Sequence, residues 1–236
     1  MRLTFAFRGL NCRFEGNHCY GESLAFARSS PSLRPMSLPS QAPRLSEAEY
    51  LQIERRAEFK SEFFDGEMFA MAGGSRAHSL IAANLIGELR DKLKGRPCVV
   101  FTSDLRVKVE ATGLFTYPDL SVVCGPERFL EEDTLLNPLL LAEVLSESTE
   151  AYDRGLKFGH YRQIPSLREY LLVSQTEPRL EQFVRQDSGH WVLRDAVGLE
   201  AELELPSLKI TLALAEVFAN VQWIPTRLRV STPPRR

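Results

Sequence analysis

From residue 45 onward the apolar positions keep a regular spacing that switches between helical and strand-like, and each switch marks an element. Ser46 followed by Glu49 has the spacing of a capping box, so a short helix is expected over about 45–57. Two strand-like runs flank Asp65-Gly66, a pair suited to the positive φ angles of a two-residue hairpin. Ile81, Leu85, Leu89 and Leu93 then form one stripe at helical spacing, which predicts an amphipathic helix over 78–93. From Pro97 the period shortens. Residues 98–109 read as strand, with Leu105, Val107 and Val109 alternating against Arg106, Lys108 and Glu110. Residues 117–124 read as another strand. The run PLLLAEVL, from Pro138 to Leu145, is almost continuously apolar, as expected of a strand covered on both faces. A polar helix over about 150–163 ends before Pro165, because the residue preceding a proline is pushed out of helical backbone. Strands over 168–174, 179–185 and 190–194 follow, then a helix over 211–219. The expected fold is α/β in the mixed α+β sense, a central mixed sheet flanked by helices in one domain over 41–225.

Composition changes this picture only at the ends. With 44% hydrophobic and 25% charged residues in 236, the chain resembles an ordinary globular protein, and a net charge of −2 gives no overall basic field. Residues 1–40 hold five arginines, no lysine and a Ser/Pro-rich end without periodicity, so they read as a disordered extension. Met36 opens a segment running straight into the patterned region, so 1–35 are expected to be an upstream extension, with a transit peptide, which the basic, acid-poor, Ser-rich composition also fits, as the alternative. Residues 226–236 read as a flexible basic tail. No apolar run reaches the roughly 20 residues of a membrane span, and a cytoplasmic location is expected. Cys12, Cys19, Cys98 and Cys124 lack paired metal-site spacing and read as reduced thiols, the last two as small buried hydrophobes.

The chemistry starts from Glu143, the one carboxylate inside PLLLAEVL. Burying an ionised carboxylate is costly unless it is paired, neutralised or bound to a metal. Taken alone, Glu143 could pair with Arg168 or Arg162, Asp119 could be a solvated turn acid, and Lys157 a surface residue. If the strands bearing Asp119 and Glu143 pair antiparallel, both acids project from one edge of the sheet. Neighbouring carboxylates repel unless a cation intervenes, and Mg²⁺ takes oxygen ligands from one or two carboxylates while keeping waters. Lys157 shares a helix face with Tyr161 and Ile164, Asp153 lies one turn earlier, and Glu62 offers a third acid. Acid, acid and lysine together describe metal-assisted hydrolysis.

The ordered set Y117-P-D-L-S-V-V, L141-A-E-V-L-S-E-S-T and D153-R-G-L-K-F-G-H-Y, preceded by E62-F-F-D-G-E and G73-G-S-R-A-H78, resembles the Uma-type "putative restriction endonuclease" family of the PD-(D/E)XK nuclease superfamily. The match covers most of 44–195. The resemblance implies a restriction-endonuclease-like core and a Mg²⁺- or Mn²⁺-dependent endonuclease acting on DNA, double-stranded by expectation. It implies Asp119, Glu143 and Glu62 as catalytic acids and metal ligands, the backbone carbonyl of Val144 as a further ligand, and Lys157 as the catalytic lysine. His78 and Tyr161 match recurrent family positions, and Asp153 would support the site. One departure stands out: Leu145 occupies the position, two residues after Glu143, where the superfamily places its lysine. Arg76, Arg90, Lys92, Lys94, Arg96, Arg106 and Lys108 are candidate phosphate contacts if they face one side. A duplex cutter must break two strands, which makes a homodimer plausible. The alternative is a catalytically silent nuclease-like domain that binds nucleic acid or a partner protein.

Overall fold

The computed structural model describes residues 44–71 and 73–223, so the expectations for 1–40, for Cys12 and Cys19 and for the tail at 226–236 lie outside the described residues. Helix α1 (Glu47–Glu54) begins at the capping box: Glu49 N–H donates to Ser46 Oγ, and the Glu49 carboxylate accepts from Ser46 N–H at 2.8 Å. The hairpin follows as β1 (Ser61–Phe64) and β2 (Glu67–Ala70), turning on Asp65 and Gly66 with φ of 49° and 83°. Helix α2 (Arg76–Lys92) buries Ile81, Leu85 and Leu89 as its stripe requires.

Expectation and structure diverge over 98–109. This stretch is two strands, β3 (Cys98–Thr102) and β4 (Arg106–Val109), belonging to different sheets. The turn at residues 103–105 redirects the chain. Strands β5 (Leu114–Thr116), β6 (Leu120–Cys124), β7 (Phe129–Leu130), β8 (Thr134–Leu135) and β9 (Leu140–Leu145) come next. The polar helix is composite: α3 (Glu150–Tyr152), a π-helical turn (Asp153–Lys157) and α4 (Phe158–Tyr161). Strands β10 (Glu169–Ser174) and β11 (Arg179–Arg185) match their expected spans, and β12 (Trp191–Val197) runs three residues beyond the expected 190–194. The helix expected over 211–219 is mostly absent. The hairpin β13 (Glu202–Leu205) and β14 (Ile210–Ala213) takes its first half, leaving the short α5 (Leu214–Val217). Strand pairing with 202–205 satisfies backbone groups that the local sequence leaves to a helix.

The central sheet runs β12-β11-β10-β9-β6-β3, and a second runs β2-β1-β5-β4-β8-β7. β9 pairs antiparallel with β6 and parallel with β10. A parallel neighbour demands a crossover, and the composite helix supplies it. β9 is buried along its whole length because its two sides meet different cores. Leu140, Ala142 and Val144 face α2 and α5, whereas Leu141 and Leu145 face Tyr161, Ile164 and Tyr170. Glu143 sits between Leu141 and Leu145 and, by strand alternation, points to the helical crossover.

Cys98 and Cys124 stand directly opposite in the antiparallel β3–β6 register and are joined as a disulfide. This corrects the expectation of reduced thiols. The cysteines are 26 residues apart in sequence, and only the strand register brings them together.

Candidate active site

The β6–β9 register pairs Leu120 with Ala142, so Asp119, one step before β6, stands opposite Glu143. Directly opposed residues of an antiparallel pair share a face, which fulfils the expectation that both acids leave one side of the sheet. Asp119 is fixed twice: Oδ2 accepts the Val144 N–H at 2.7 Å, and Oδ1 meets His78 Nε2 at 3.0 Å. The hydrogen bond with Asp119 raises the His78 pKa, against burial, which lowers it. His78 comes from the first turn of α2, where the Ser75 hydroxyl caps its N–H. Gly74 lies so close that a Cβ there would stand 2.6 Å from His78 Cδ2, so a backbone without a side chain is what lets the ring lie against Asp119.

Glu143 is 4% exposed. Its Oε1 accepts from Tyr161 Oη at 2.8 Å and lies 2.9 Å from Lys157 Nζ. Neither Arg168 nor Arg162 pairs with it among the described residues. Burial pushes the Glu143 carboxyl up to about 8; Lys157 opposes the shift, and Asp119 and Asp153 reinforce it. Lys157 Nζ also lies 3.0 Å from Glu62 Oε1 and 3.5 Å from Asp153 Oδ1. Burial works against the charge on Lys157, but Glu143, Glu62 and Asp153 outweigh it and hold the ammonium protonated.

The local backbone explains this convergence. Asp153 and Lys157 bound the π-helical turn, and Tyr161 follows at the end of α4. All three are buried on the side facing Glu143. Single π turns inside helices concentrate at functional sites, where they reset the side-chain direction. Leu145 packs in the apolar cluster with Tyr161 and Tyr170, and the ammonium beside Glu143 is that of Lys157, from the crossover. Glu62 reaches the group from β1, its carboxylate also accepting Thr116 Oγ1 at 2.5 Å. Burial and Lys157 have opposite effects on Asp153, and burial prevails to raise its pKa. Tyr161 is fully buried beneath the acids, supporting Glu143 from below.

Glu62, His78, Asp119, Glu143, Val144, Asp153 and Lys157 line one cavity of about 670 Å³. Sequence reasoning missed several of its other walls: Ser146, Ser148 and Thr149 from the β9–α3 connection, Tyr152 at the end of α3, and Phe64, Phe69, Leu156 and His160 at the mouth. Tyr152 directly precedes Asp153 and the hydroxyls lie between Glu143 and Asp153 in sequence, and that position was the available signal. The candidate phosphate contacts do not gather there. Arg106 is 3% exposed and holds Thr134, Tyr117 and Asp133, and Lys108 pairs with Glu47 at 2.7 Å.

Among the described residues no three His, Cys, Asp or Glu side chains form a ready ligand set. The donors nevertheless suit a hard divalent ion. Four carboxylates, from Glu62, Asp119, Glu143 and Asp153, share the cavity with one lysine ammonium, and Mg²⁺ needs only one or two carboxylates with waters completing its shell. No helix of the described residues is long and apolar enough to cross a membrane.

Comparison with known proteins agrees with this architecture. The chain is 40% identical over 179 residues to the uncharacterized protein slr1290 of Synechocystis sp. strain PCC 6803, covering 76% of this chain and 94% of that one. It is 38% identical over 168 residues to sll1609 of the same organism, covering 70% and 95%. The crystal structure of a "putative nuclease belonging to DUF820" from Anabaena variabilis superposes with a TM-score of 0.59 at 19% identity, over 72% of this chain and 96% of that one, and so shares the fold. The model of the family described as "Uma2: Putative restriction endonuclease" matches residues 47–215, and the chain belongs to that family.

Proposed function

We propose that this chain is a metal-dependent endonuclease that hydrolyses DNA phosphodiester bonds, with Asp119, Glu143 and the Val144 carbonyl as ligands for Mg²⁺ or Mn²⁺ and Glu62 as an accessory acid. The observation that carries the reading is the meeting of Lys157 Nζ with Glu143 and Glu62 at 2.9 and 3.0 Å, in the cavity that also holds Asp119. A bound divalent ion would supply a water of lowered pKa and neutralise charge on the phosphate. Tyr161 and the Val144 N–H hold Glu143 and Asp119 in fixed orientations, so the carboxylates need little rearrangement on binding. Lys157 directs its N–H groups at Glu62, Glu143 and, most loosely, Asp153. Releasing the Asp153 contact would free one donor to orient a water or a phosphate oxygen while the ammonium offsets developing negative charge. His78 fixes the second oxygen of Asp119.

The deciding experiment incubates supercoiled and linear DNA with Mg²⁺ or Mn²⁺ and compares the wild type with Asp119→Asn, Glu143→Gln and Lys157→Ala. Metal-dependent cutting lost in all three variants is the expected result. Variants that cut as fast as the wild type would show that the chemistry lies elsewhere. A wild type that binds DNA and never cuts it under any metal would favour the silent binding domain.

A further inference from the structure

The mouth of the cavity differs chemically from its floor. Phe69 is 49% and Leu156 72% exposed, yet both line the cavity that holds the acids. Phe64 and His160 meet edge-on at 4.6 Å and line the same cavity. Large apolar side chains exposed on the lining of a cleft mark a binding surface. Among the described residues positive charge is scarce here: Lys157 is the one Lys or Arg of the lining, and three carboxylates surround it. Duplex binding draws most of its affinity from a series of Lys and Arg contacts to phosphates. Of the seven candidate phosphate contacts, Arg106 and Lys108 are committed to Thr134, Tyr117, Asp133 and Glu47, and the exposed Arg76, Arg90, Lys92, Lys94 and Arg96 lie outside the lining of this cavity.

A ligand matching both ends has a phosphate for the acidic, metal-binding floor and a flat apolar face for the rim, and a cavity of about 670 Å³ lies in the range that encloses a small organic molecule. An unstacked nucleotide has this form. In continuous duplex the base faces are buried against each other, and Phe69 and Leu156 would find no partner. We propose that the site accepts unpaired DNA, a single strand or a splayed end, with one base lying against Phe69 and Leu156 in front of the Phe64–His160 pair. This deepens the nuclease reading and rests on it for the position of the phosphate.

The test separates binding from cutting. Single-stranded oligonucleotides carrying 2-aminopurine, and the same sequences as blunt duplex, are titrated with the Glu143→Gln chain in Ca²⁺, and probe fluorescence and affinity are read. Tighter binding of the single strand with quenching of the probe is expected. Phe69→Ala and Leu156→Ala, both at exposed positions with little folding role, should each weaken single-strand binding about five- to a hundredfold, the range of one lost base contact. Affinity should fall only shallowly with salt, as for a few phosphate contacts. Equal affinity for blunt duplex, indifference to both substitutions, or a steep salt slope would each overturn the proposal. A wild type that cuts duplex and single strands alike, with Phe69→Ala and Leu156→Ala unaffected, leaves the nuclease reading standing and removes this one. A chain that binds single strands through Phe69 and cuts nothing does the reverse.

Discussion

Glu143→Gln should stabilise the fold at neutral and alkaline pH while abolishing cleavage. The substitution keeps the side chain's shape and its Oε1 acceptor, so Tyr161 and Lys157 keep a partner. What it removes is an ionisation that the fold opposes. Burial lifts the carboxyl from 4.5 to about 8, Lys157 pulling the other way and Asp119 and Asp153 adding to the rise. A carboxyl with a raised folded pKa leaves stability untouched below its unfolded value, because both states are then protonated. Above 4.5 the unfolded chain releases a proton that the folded chain retains, and stability falls with pH until the folded carboxyl also ionises near 8. At 1.4 kcal/mol per pH unit the cost to the wild type is about 3 kcal/mol at pH 7 and about 5 kcal/mol above pH 8. Glutamine escapes it. Urea unfolding of both proteins in chelator at pH 4.5, 7 and 8.5 measures the difference directly, and any constant penalty of the amide cancels between pH values. A stability difference that stays flat with pH, or that turns against glutamine as pH rises, would show that Glu143 sits ionised as the partner of Lys157 and would refute the reasoning.

Three further outcomes follow. Lys157→Met strips the ammonium from Glu143, Glu62 and Asp153, so it should cost about 3–5 kcal/mol at pH 7 in denaturant unfolding and should end cleavage. Gly74→Ala places a Cβ against the His78 ring and should lower cleavage about a hundredfold through misplacement of the His78–Asp119 pair, with little change in the unfolding midpoint; wild-type rates would disprove a role for that pair. Arg106→Met should cost about 2–4 kcal/mol of stability by removing the buried guanidinium from Thr134, Tyr117 and Asp133, yet leave DNA affinity unchanged, and a large affinity loss in a folded variant would return Arg106 to the substrate surface.

Much of the architecture was readable along the chain because it is encoded locally. The capping box at Ser46 and Glu49, the Asp65-Gly66 hairpin and the Ile81–Leu85–Leu89 stripe depend on neighbours within one or two turns. The continuous apolar run around Glu143 announced a strand covered on both faces, and the structure supplies a different core for each. Failures occurred where a distant partner outweighed local pattern. Arg106, which alternates as if solvated, is buried by Tyr117, Thr134 and Asp133. Residues 210–213 gave up a helical period to pair with 202–205. Alternation reports which residues share a face, and nothing in it says what will cover that face.

The candidate site divides along the same line. Sequence by itself determined the parts: an acid after Pro118, an acid in a buried strand, and a helix carrying Asp153, Lys157 and Tyr161 on one side. Tertiary structure decided that they meet. The Leu120–Ala142 register sets Asp119 opposite Glu143, and the parallel β9–β10 pairing forces a crossover that returns Lys157 to within 2.9 Å of Glu143. It also decided the apolar rim of Phe69 and Leu156, and the meeting of Cys98 with Cys124. Side-chain period is a property of a single element, whereas proximity between elements depends on register and crossover, which only the packed sheet fixes.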